Sequence, residues 1–131
     1  MRDDYSDVIR QRAGQLCDRI EFYCEVPPSI VSEIELGILF VMAFWSGSAM
    51  QSFSQLLDTV ARLDPAKRLR LVVVDTDRIS ELQKLPPFQG QLHGAGETFW
   101  IRDGQIVADS GLGLNLDCIK PNTIALLAGE Q

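Results

Sequence analysis

The chain is poor in the residues that build disulfide frameworks, metal centres and histidine-dependent active sites. Its 131 residues include three cysteines and one histidine. An odd number of cysteines argues against a disulfide framework. If Cys17 and Cys24 lie on one helix, they are roughly 10.5 Å apart along its axis, which is too far for a disulfide. We therefore expect ordinary thiols in a reducing compartment, and we predict no cofactor and no metal site.

Long apolar runs and an excess of positive charge are also missing. The longest strongly apolar stretch, 37–45, is far shorter than the roughly 20 residues that span a bilayer. We expect no secretory signal, because no apolar segment follows the acidic start of this sequence. The net charge of −6 opposes binding to the phosphate backbone of nucleic acids. We expect a cytoplasmic protein that binds neither membrane nor nucleic acid. Its apolar fraction of 46% is typical of a globular chain.

Alternating helix-like and strand-like segments predict one α/β domain over 1–131, with an N-terminal extension over 1–26 and a core over 27–131. Apolar residues at helical spacing predict a helix in the extension, while 21–26 fits either a helix or a strand. We expect this extra helix to pack on the domain. Homodimerisation through it, or binding of a partner, is the alternative.

The first half of the core predicts a parallel strand–helix–strand unit. A short helix is expected over 29–36, followed by a strand over 37–44 whose continuous apolar run is typical of burial on both faces. A helix over 49–63 and a strand over 69–74 come next, and this order predicts parallel strands. The helix carries its apolar residues on one stripe: Ala49, Phe53, Leu56, Leu57 and Val60.

The second half predicts a hairpin and a closing helix. Two strand-like runs, 98–102 and 105–110, are separated by Asp103-Gly104, which favours a type I′ turn with positive φ at both residues. Since strand neighbours point to opposite faces, one of Phe99 and Trp100 should face the core and the other should point away. A helix is expected over 122–128. The sheet is therefore predicted to be mixed.

The segment that follows the first buried strand is Trp45-Ser46-Gly47-Ser48-Ala49, it leads into a long helix, and in both respects it resembles the thioredoxin family. In that family a buried strand runs into Trp-Cys-Gly-Pro-Cys and then into a long helix. Here the corresponding residues are Trp45-Ser46-Gly47-Ser48-Ala49. Trp45 and Gly47 match, whereas Ser46 and Ala49 stand at the two cysteine positions and Ser48 stands at the proline. The resemblance implies a three-layer α/β/α sandwich, and 71–77 and 98–107 are similar to the family's third strand and closing hairpin.

The departures imply a member that is redox-inactive. By the same resemblance, Phe40 stands where the family has a buried carboxylate, and Glu97 stands at the cis-proline before Thr98. A cis bond before a non-proline residue costs about 2.5–4 kcal/mol, so we expect a trans bond there. Both cysteines, the carboxylate and the proline are missing together, which indicates that the electron-transfer chemistry is absent.

The resemblance therefore implies a non-catalytic protein-binding module, an accessory, assembly or chaperone-type factor that holds another protein or an extended peptide segment. The expected contact surface is the degenerate active-site face, which consists of Trp45, Ser46, Gly47, Ser48, Glu97 and Thr98. Ser46 is expected to cap the following helix rather than to act as a nucleophile.

Two other functions stay open at this point. One is a thiol- or glutathione-dependent enzyme with an atypical site at Cys24, Cys118 or Ser46, because a reactive thiol needs only an exposed, electropositive setting. The other is an acidic immunity protein or secretion chaperone, which the small size and negative charge would suit.

Overall fold

The computed structural model describes residues 19–23, 29–43, 47–75, 97–110 and 116–129. Within these ranges the chain forms five strands: β1 (Ile20–Tyr23), β2 (Leu36–Met42), β3 (Arg70–Asp75), β4 (Thr98–Arg102) and β5 (Gln105–Asp109). It also forms two α-helices, α1 (Gly47–Leu63) and α2 (Ile119–Ala128), the second preceded by a short 3-10 helix at Leu116–Cys118.

The strands of the described residues lie side by side in the order β1-β3-β2-β4-β5. β1 and β2 both run parallel to β3, while β4 is antiparallel to β2 and β5 is antiparallel to β4. The predicted parallel unit and the mixed sheet are thereby confirmed. The ambiguous segment 21–26 contributes a strand, Ile20–Tyr23, so part of the predicted extension belongs to the sheet. The predicted N-terminal helix lies outside the described residues.

Both described helices cover the same face of the sheet. The predicted stripe of α1 is buried as expected, and it packs in one cluster with Ile38, Phe40 and Trp100 of the sheet. α2 contributes Ile119 and Leu126 to that cluster. The stripe could be predicted because residues three and four apart share one side of a helix.

The opposite face of the sheet is also buried, which corrects the expectation for the aromatic pair. Phe99 and Trp100 do point to opposite faces, yet they are only 2% and 0% exposed. Phe99 lies in a second cluster, where Ile30 and Ile34 cover β2 and β3. Neither ring points to solvent, because each face of the sheet carries a packed layer.

The helix predicted over 29–36 is wrong, because the chain forms only a turn at 29–33. Glu33 N–H donates to the carbonyl of Ser29 at 3.2 Å, and Ile34 N–H donates to Val31 at 3.1 Å. The turn still buries Ile30 and Ile34, which are four residues apart. Since β2 begins at Leu36, too few residues remain to offset the cost of nucleating a helix.

The hairpin between β4 and β5 has the predicted turn. Asp103 and Gly104 have φ angles of 52° and 75°, and a type I′ turn requires positive φ at both positions. The turn also contacts the start of β2, since Asp103 N–H donates to Glu35 at 2.7 Å and Gly104 N–H donates to Ile34 at 2.8 Å. The hairpin is thereby held against the 29–33 turn.

A buried ion pair joins the residue before β1 to the end of α1. Arg19 donates to the Asp64 carboxylate at 2.5 Å, and the two side chains are 8% and 1% exposed. The same carboxylate accepts the backbone N–H groups of Arg68 at 2.9 Å and Leu69 at 2.8 Å. Asp64 therefore ends α1, shapes the connection to β3 and holds β1 in place.

Candidate functional site

The degenerate active-site face lies at the carboxyl ends of the parallel strands β2 and β3, where ligands of open α/β sheets commonly bind. Val41 N–H of β2 donates to the carbonyl of Glu97 at 2.9 Å, and Phe40 is in register with Thr98. After β2 the chain passes through Ala43 to the start of α1 at Gly47. The fold therefore brings the first turn of α1 and the start of β4 to one end of the sheet. Trp45 and Ser46, including the predicted cap, lie outside the described residues.

Gly47 and Ser48 form the accessible part of this face within the described chain. Gly47 is exposed and Ser48 is half-buried in the first turn of α1. A Cβ built on Gly47 would meet no atom of the described residues within 4 Å. A methyl group can therefore be added at this position without contacting the described residues.

Glu97 and Thr98 lie in the face but their side chains are each only 1% exposed. Thr98 N–H donates to the Ser110 hydroxyl at 3.0 Å, and Ser110 N–H donates to the Thr98 carbonyl at 3.0 Å. These contacts fix the end of β5 against the start of β4. The side chains of Glu97 and Thr98 are therefore part of the packed interior at this end of the sheet. The peptide bond before Glu97 involves Gly96, which lies outside the described residues.

The positions that resemble the second cysteine and the buried acid are filled by apolar side chains. Ala49 is fully buried in the first turn of α1. The Phe40 ring packs against Phe53 of α1, with ring centroids 5.2 Å apart and planes inclined at 36°. Neither of these two side chains can carry electrons or take up a proton.

Cys118 is the one cysteine among the described residues, and its setting does not activate it. The thiol is half-buried just before α2. Burial raises the pKa of the Cys118 thiol, and the nearby Asp109 and Asp117 carboxylates raise that pKa further. Because the thiolate is the nucleophile in sulfur chemistry, this setting suppresses it. Cys17 and Cys24 lie outside the described residues.

Neither a metal centre nor a membrane span was found in the part of the chain that the structure describes. That part contains no group of three or more histidine, cysteine or acidic side chains placed to bind one ion. The same residues include no helix with the length and apolar character needed to cross a bilayer.

A groove along α1 was not predicted from the sequence. This α1 groove has a volume of about 370 Å³, and its lining includes Gly47, Asp58 and Leu116. Four further side chains of α1 line it: Met50, Gln51, Ser54 and Gln55. Their spacing of three and four residues places them on one side of α1, next to the buried stripe. The sequence does not show that Leu116 lies beside them.

Comparisons with known proteins show that the fold of this chain is similar to that of solved thioredoxin structures. No family model matches the chain, and no curated protein matches it. Among solved structures, it is similar to the reduced desulfothioredoxin of Desulfovibrio vulgaris Hildenborough, with 19% identity and a TM-score of 0.54 over 80% of this chain and 90% of that one. It is also similar to thioredoxin from Trypanosoma brucei brucei, with 18% identity and a TM-score of 0.57 over 83% of this chain and 91% of that one. The predicted thioredoxin-like α/β fold is thereby confirmed at the level of architecture.

Proposed function

We propose that the protein is a non-catalytic, protein-binding module built on a thioredoxin-like scaffold. It serves as an accessory, assembly or chaperone-type factor in the cytoplasm and holds a partner at the degenerate active-site face. One observation carries the proposal: where the fold resembles thioredoxin, the first turn of α1 buries the methyl group of Ala49 in the core. A thioredoxin-like scaffold with Ser46 and Ala49 at the two cysteine positions can still present a binding surface, but it cannot carry out dithiol–disulfide exchange there.

The layer beneath the face supports the same proposal. Phe40 is 1% exposed and packs on Phe53, so an aromatic pair fills the position where the resemblance places a carboxylate. A redox cycle at a dithiol requires a group that accepts and returns protons. An aromatic ring stabilises the core by burying apolar surface and does neither.

The described residues of the face divide into a contact layer and a support layer. Gly47 is exposed and Ser48 is half-buried, whereas Glu97 and Thr98 are buried. We infer that a partner contacts the first turn of α1 and the adjacent Trp45, since large aromatic side chains often contribute most to binding. Glu97 and Thr98 hold the start of β4 in place at the same end of the sheet.

Two variants of the face and one matched control test the proposal by affinity capture and mass spectrometry. Gly47→Arg places a charged side chain on the exposed start of α1, and Trp45→Ala removes an aromatic side chain from the same face. Ala61→Arg adds the same charge at an exposed position of α1, roughly 21 Å further along the helix. We expect both face variants to lose specific partners that the wild-type chain and Ala61→Arg retain. Equal capture by all four proteins would reject this surface.

The enzyme alternative is tested separately, by insulin reduction and by titration with glutathione. We expect neither turnover nor saturable glutathione binding, because the described first turn of α1 carries no cysteine and burial raises the pKa of the Cys118 thiol. Activity that disappears in Cys24→Ser would replace the proposal with a thiol enzyme.

A further inference from the structure

We propose that Asp103 is a site of spontaneous aspartate isomerisation, and that docking of the β4–β5 turn onto the start of β2 holds this reaction in check. The product prevents the turn from docking again, so the modification records that the hairpin has opened. The inference is independent of the proposed partner contact, because the turn lies at the other end of β4 from Thr98.

The reaction joins a carboxyl side chain to the backbone nitrogen of the next residue. The Gly104 nitrogen forms a bond to Cγ of Asp103, and one carboxyl oxygen leaves as water with the carboxyl proton and the Gly104 N–H proton. A second water opens the succinimide ring by adding its hydroxyl to one ring carbonyl carbon and returning a proton to the nitrogen. Opening at the former main-chain carbonyl gives isoaspartate, in which the main chain runs through the former side chain.

The sequence offers a favourable pair of residues for this reaction once. Asp103 is the only aspartate or asparagine in the chain that precedes a glycine. Glycine has no Cβ, so its nitrogen is the least hindered of any residue. Asp109 precedes Ser110 on the same hairpin and provides a comparison, because the serine side chain hinders the nitrogen more. Asp103 is also exposed, so water can reach it.

In the folded chain the attacking nitrogen is held in a hydrogen bond. Gly104 N–H donates to the carbonyl of Ile34 at 2.8 Å, and Asp103 N–H donates to the carbonyl of Glu35 at 2.7 Å. The nitrogen must give up its proton to attack, and a hydrogen bond of this length retains that proton. Rotating the peptide between Asp103 and Gly104 toward the carboxyl group would break the bond to Ile34. The turn must therefore leave β2 before the ring can close.

The docked turn has no room for a longer main chain. A Cβ built on Gly104 would lie 3.0 Å from the carbonyl oxygen of Ser32 and 3.2 Å from its Cα, so the backbone of the turn already lies close to the 29–33 turn. Isoaspartate adds a carbon to the main chain between the two N–H groups that dock on Ile34 and Glu35. An isoaspartyl turn therefore loses at least one of these two hydrogen bonds.

The experiment follows the uptake of heavy oxygen from labelled water by the full chain at neutral pH. Each passage through the succinimide inserts one solvent oxygen, and fragment-ion mass spectra after digestion in ordinary water assign it to a residue. The native protein is compared with the same chain unfolded in urea. A synthetic peptide of residues 99–108, with and without urea, corrects for any effect of urea on the chemistry. Asp103→Glu in urea is the matched variant, because glutamate has to close a larger ring.

We expect Asp103 to take up heavy oxygen faster than Asp109 and every other aspartate of the unfolded chain, and Asp103→Glu to abolish uptake at this position. In the native protein, uptake at Asp103 should be at least about tenfold slower, because local opening must precede ring closure. Faster uptake at another aspartate in urea would show that Asp103 is not the preferred site. Equal corrected rates in the native and unfolded chains would overturn the role of docking.

A second measurement tests whether the modified turn can dock. Chains aged in urea are separated by chromatography into aspartyl and isoaspartyl forms, which are refolded side by side. We expect the amide hydrogens of the β4–β5 hairpin to exchange with solvent at least about tenfold faster in the isoaspartyl form. Refolding of the aspartyl form alone would support the same conclusion. Equal exchange in the two refolded forms would show that the longer turn still docks, and it would overturn this part of the inference.

Discussion

The guanidinium of Arg19 and the carboxylate of Asp64 form an ion pair, 2.5 Å apart, between two parts of the chain 45 residues distant in sequence. Arg19 also donates to the carbonyl groups of Asp64 and Leu69, each at 3.1 Å. Because both side chains are almost fully buried, water cannot replace either partner. β1, the end of α1 and the connection to β3 therefore depend on one another.

Loss of this pair should destabilise the protein strongly. Arg19→Ala leaves the Asp64 carboxylate buried without its counter-ion, and we expect the free energy of unfolding to fall by about 3 kcal/mol. Urea denaturation of the full chain measures the change. Arg62→Ala is the control, because the Arg62–Asp58 pair is exposed and such pairs contribute about 0.5 kcal/mol or less. Equal losses in the two variants would contradict the prediction.

The stability of the protein should decline in acid through two carboxyl groups. Hydrogen bonds from Arg70 lower the pKa of Glu21 below its ordinary 4.5. Burial acts to raise the pKa of Asp64, but the Leu69 and Arg68 N–H groups and Arg19 outweigh it, so that pKa lies below its ordinary 3.8. Both groups stabilise the fold fully above these ordinary values, and that stabilisation is lost as pH falls toward the lowered pKa values.

We therefore expect the free energy of unfolding to decrease steadily below about pH 4.5, as measured by urea denaturation at a series of pH values. Asp64→Asn cannot take up the proton and should show a shallower decline in acid than the wild type. An identical slope in both proteins would show that Asp64 does not contribute.

Gly37 should not tolerate a side chain. A Cβ at this position would lie 2.5 Å from the carbonyl oxygen of Arg70 and 2.8 Å from Cγ2 of Ile34. Gly37→Ala must therefore move a β2–β3 contact, and we expect it to lower the free energy of unfolding by about 1–3 kcal/mol. Gly47→Ala is the matched control, since it adds a methyl group in open space and should be neutral or stabilising by up to about 1 kcal/mol. Thermal denaturation compares them, and equal midpoints would contradict the assignment.

The buried indole of Trp100 should depend on one hydroxyl. Its Nε1–H donates to Oγ1 of Thr123 at 3.0 Å, and that hydroxyl donates to the carbonyl of Ile119 at 2.7 Å. Thr123→Val keeps the shape but removes the acceptor, and we expect a loss of about 1–3 kcal/mol in urea denaturation. Thr123→Ser retains the hydroxyl and should lose less. The prediction fails if serine and valine behave alike.

Cys118 should react slowly with alkylating reagents. Burial raises the pKa of its thiol, with a further contribution from Asp109 and Asp117, so the thiolate fraction at pH 8 is smaller than that of an unperturbed cysteine. Mass spectrometry after timed treatment with iodoacetamide can follow this site alone. We expect alkylation of Cys118 to be slower in the native protein than in urea. A faster native rate would point to an activated thiol.

The parts of the fold that the sequence predicted correctly are those set by local chemistry. The stripe of α1 follows from helical spacing alone, and the hairpin turn follows from the backbone freedom of Asp103-Gly104. At the end of α2, Gly129 adopts the left-handed conformation, with φ of 78°, that glycine commonly supplies just past a helix. Each of these features is decided within a few residues of the chain.

The parts that could not be predicted depend on residues far apart in sequence. Nothing in the sequence near Asp64 shows that Arg19 is its partner. The 29–33 turn carries a helix-like spacing of Ile30 and Ile34, but the start of β2 and the docked hairpin limit it to one turn. The burial of Glu97 and Thr98 also depends on tertiary structure, and so does the position of Leu116 beside α1.

The position of β1 has a consequence for how the protein can be shortened. A truncated chain that begins at residue 27 would appear from the sequence to keep the whole core, yet it would lack the strand that pairs with residues 71–74. It would leave one side of β3 open to strands of other molecules, and Asp64 without its counter-ion. Such a fragment should aggregate, whereas deletions that stop before Arg19 would keep both contacts.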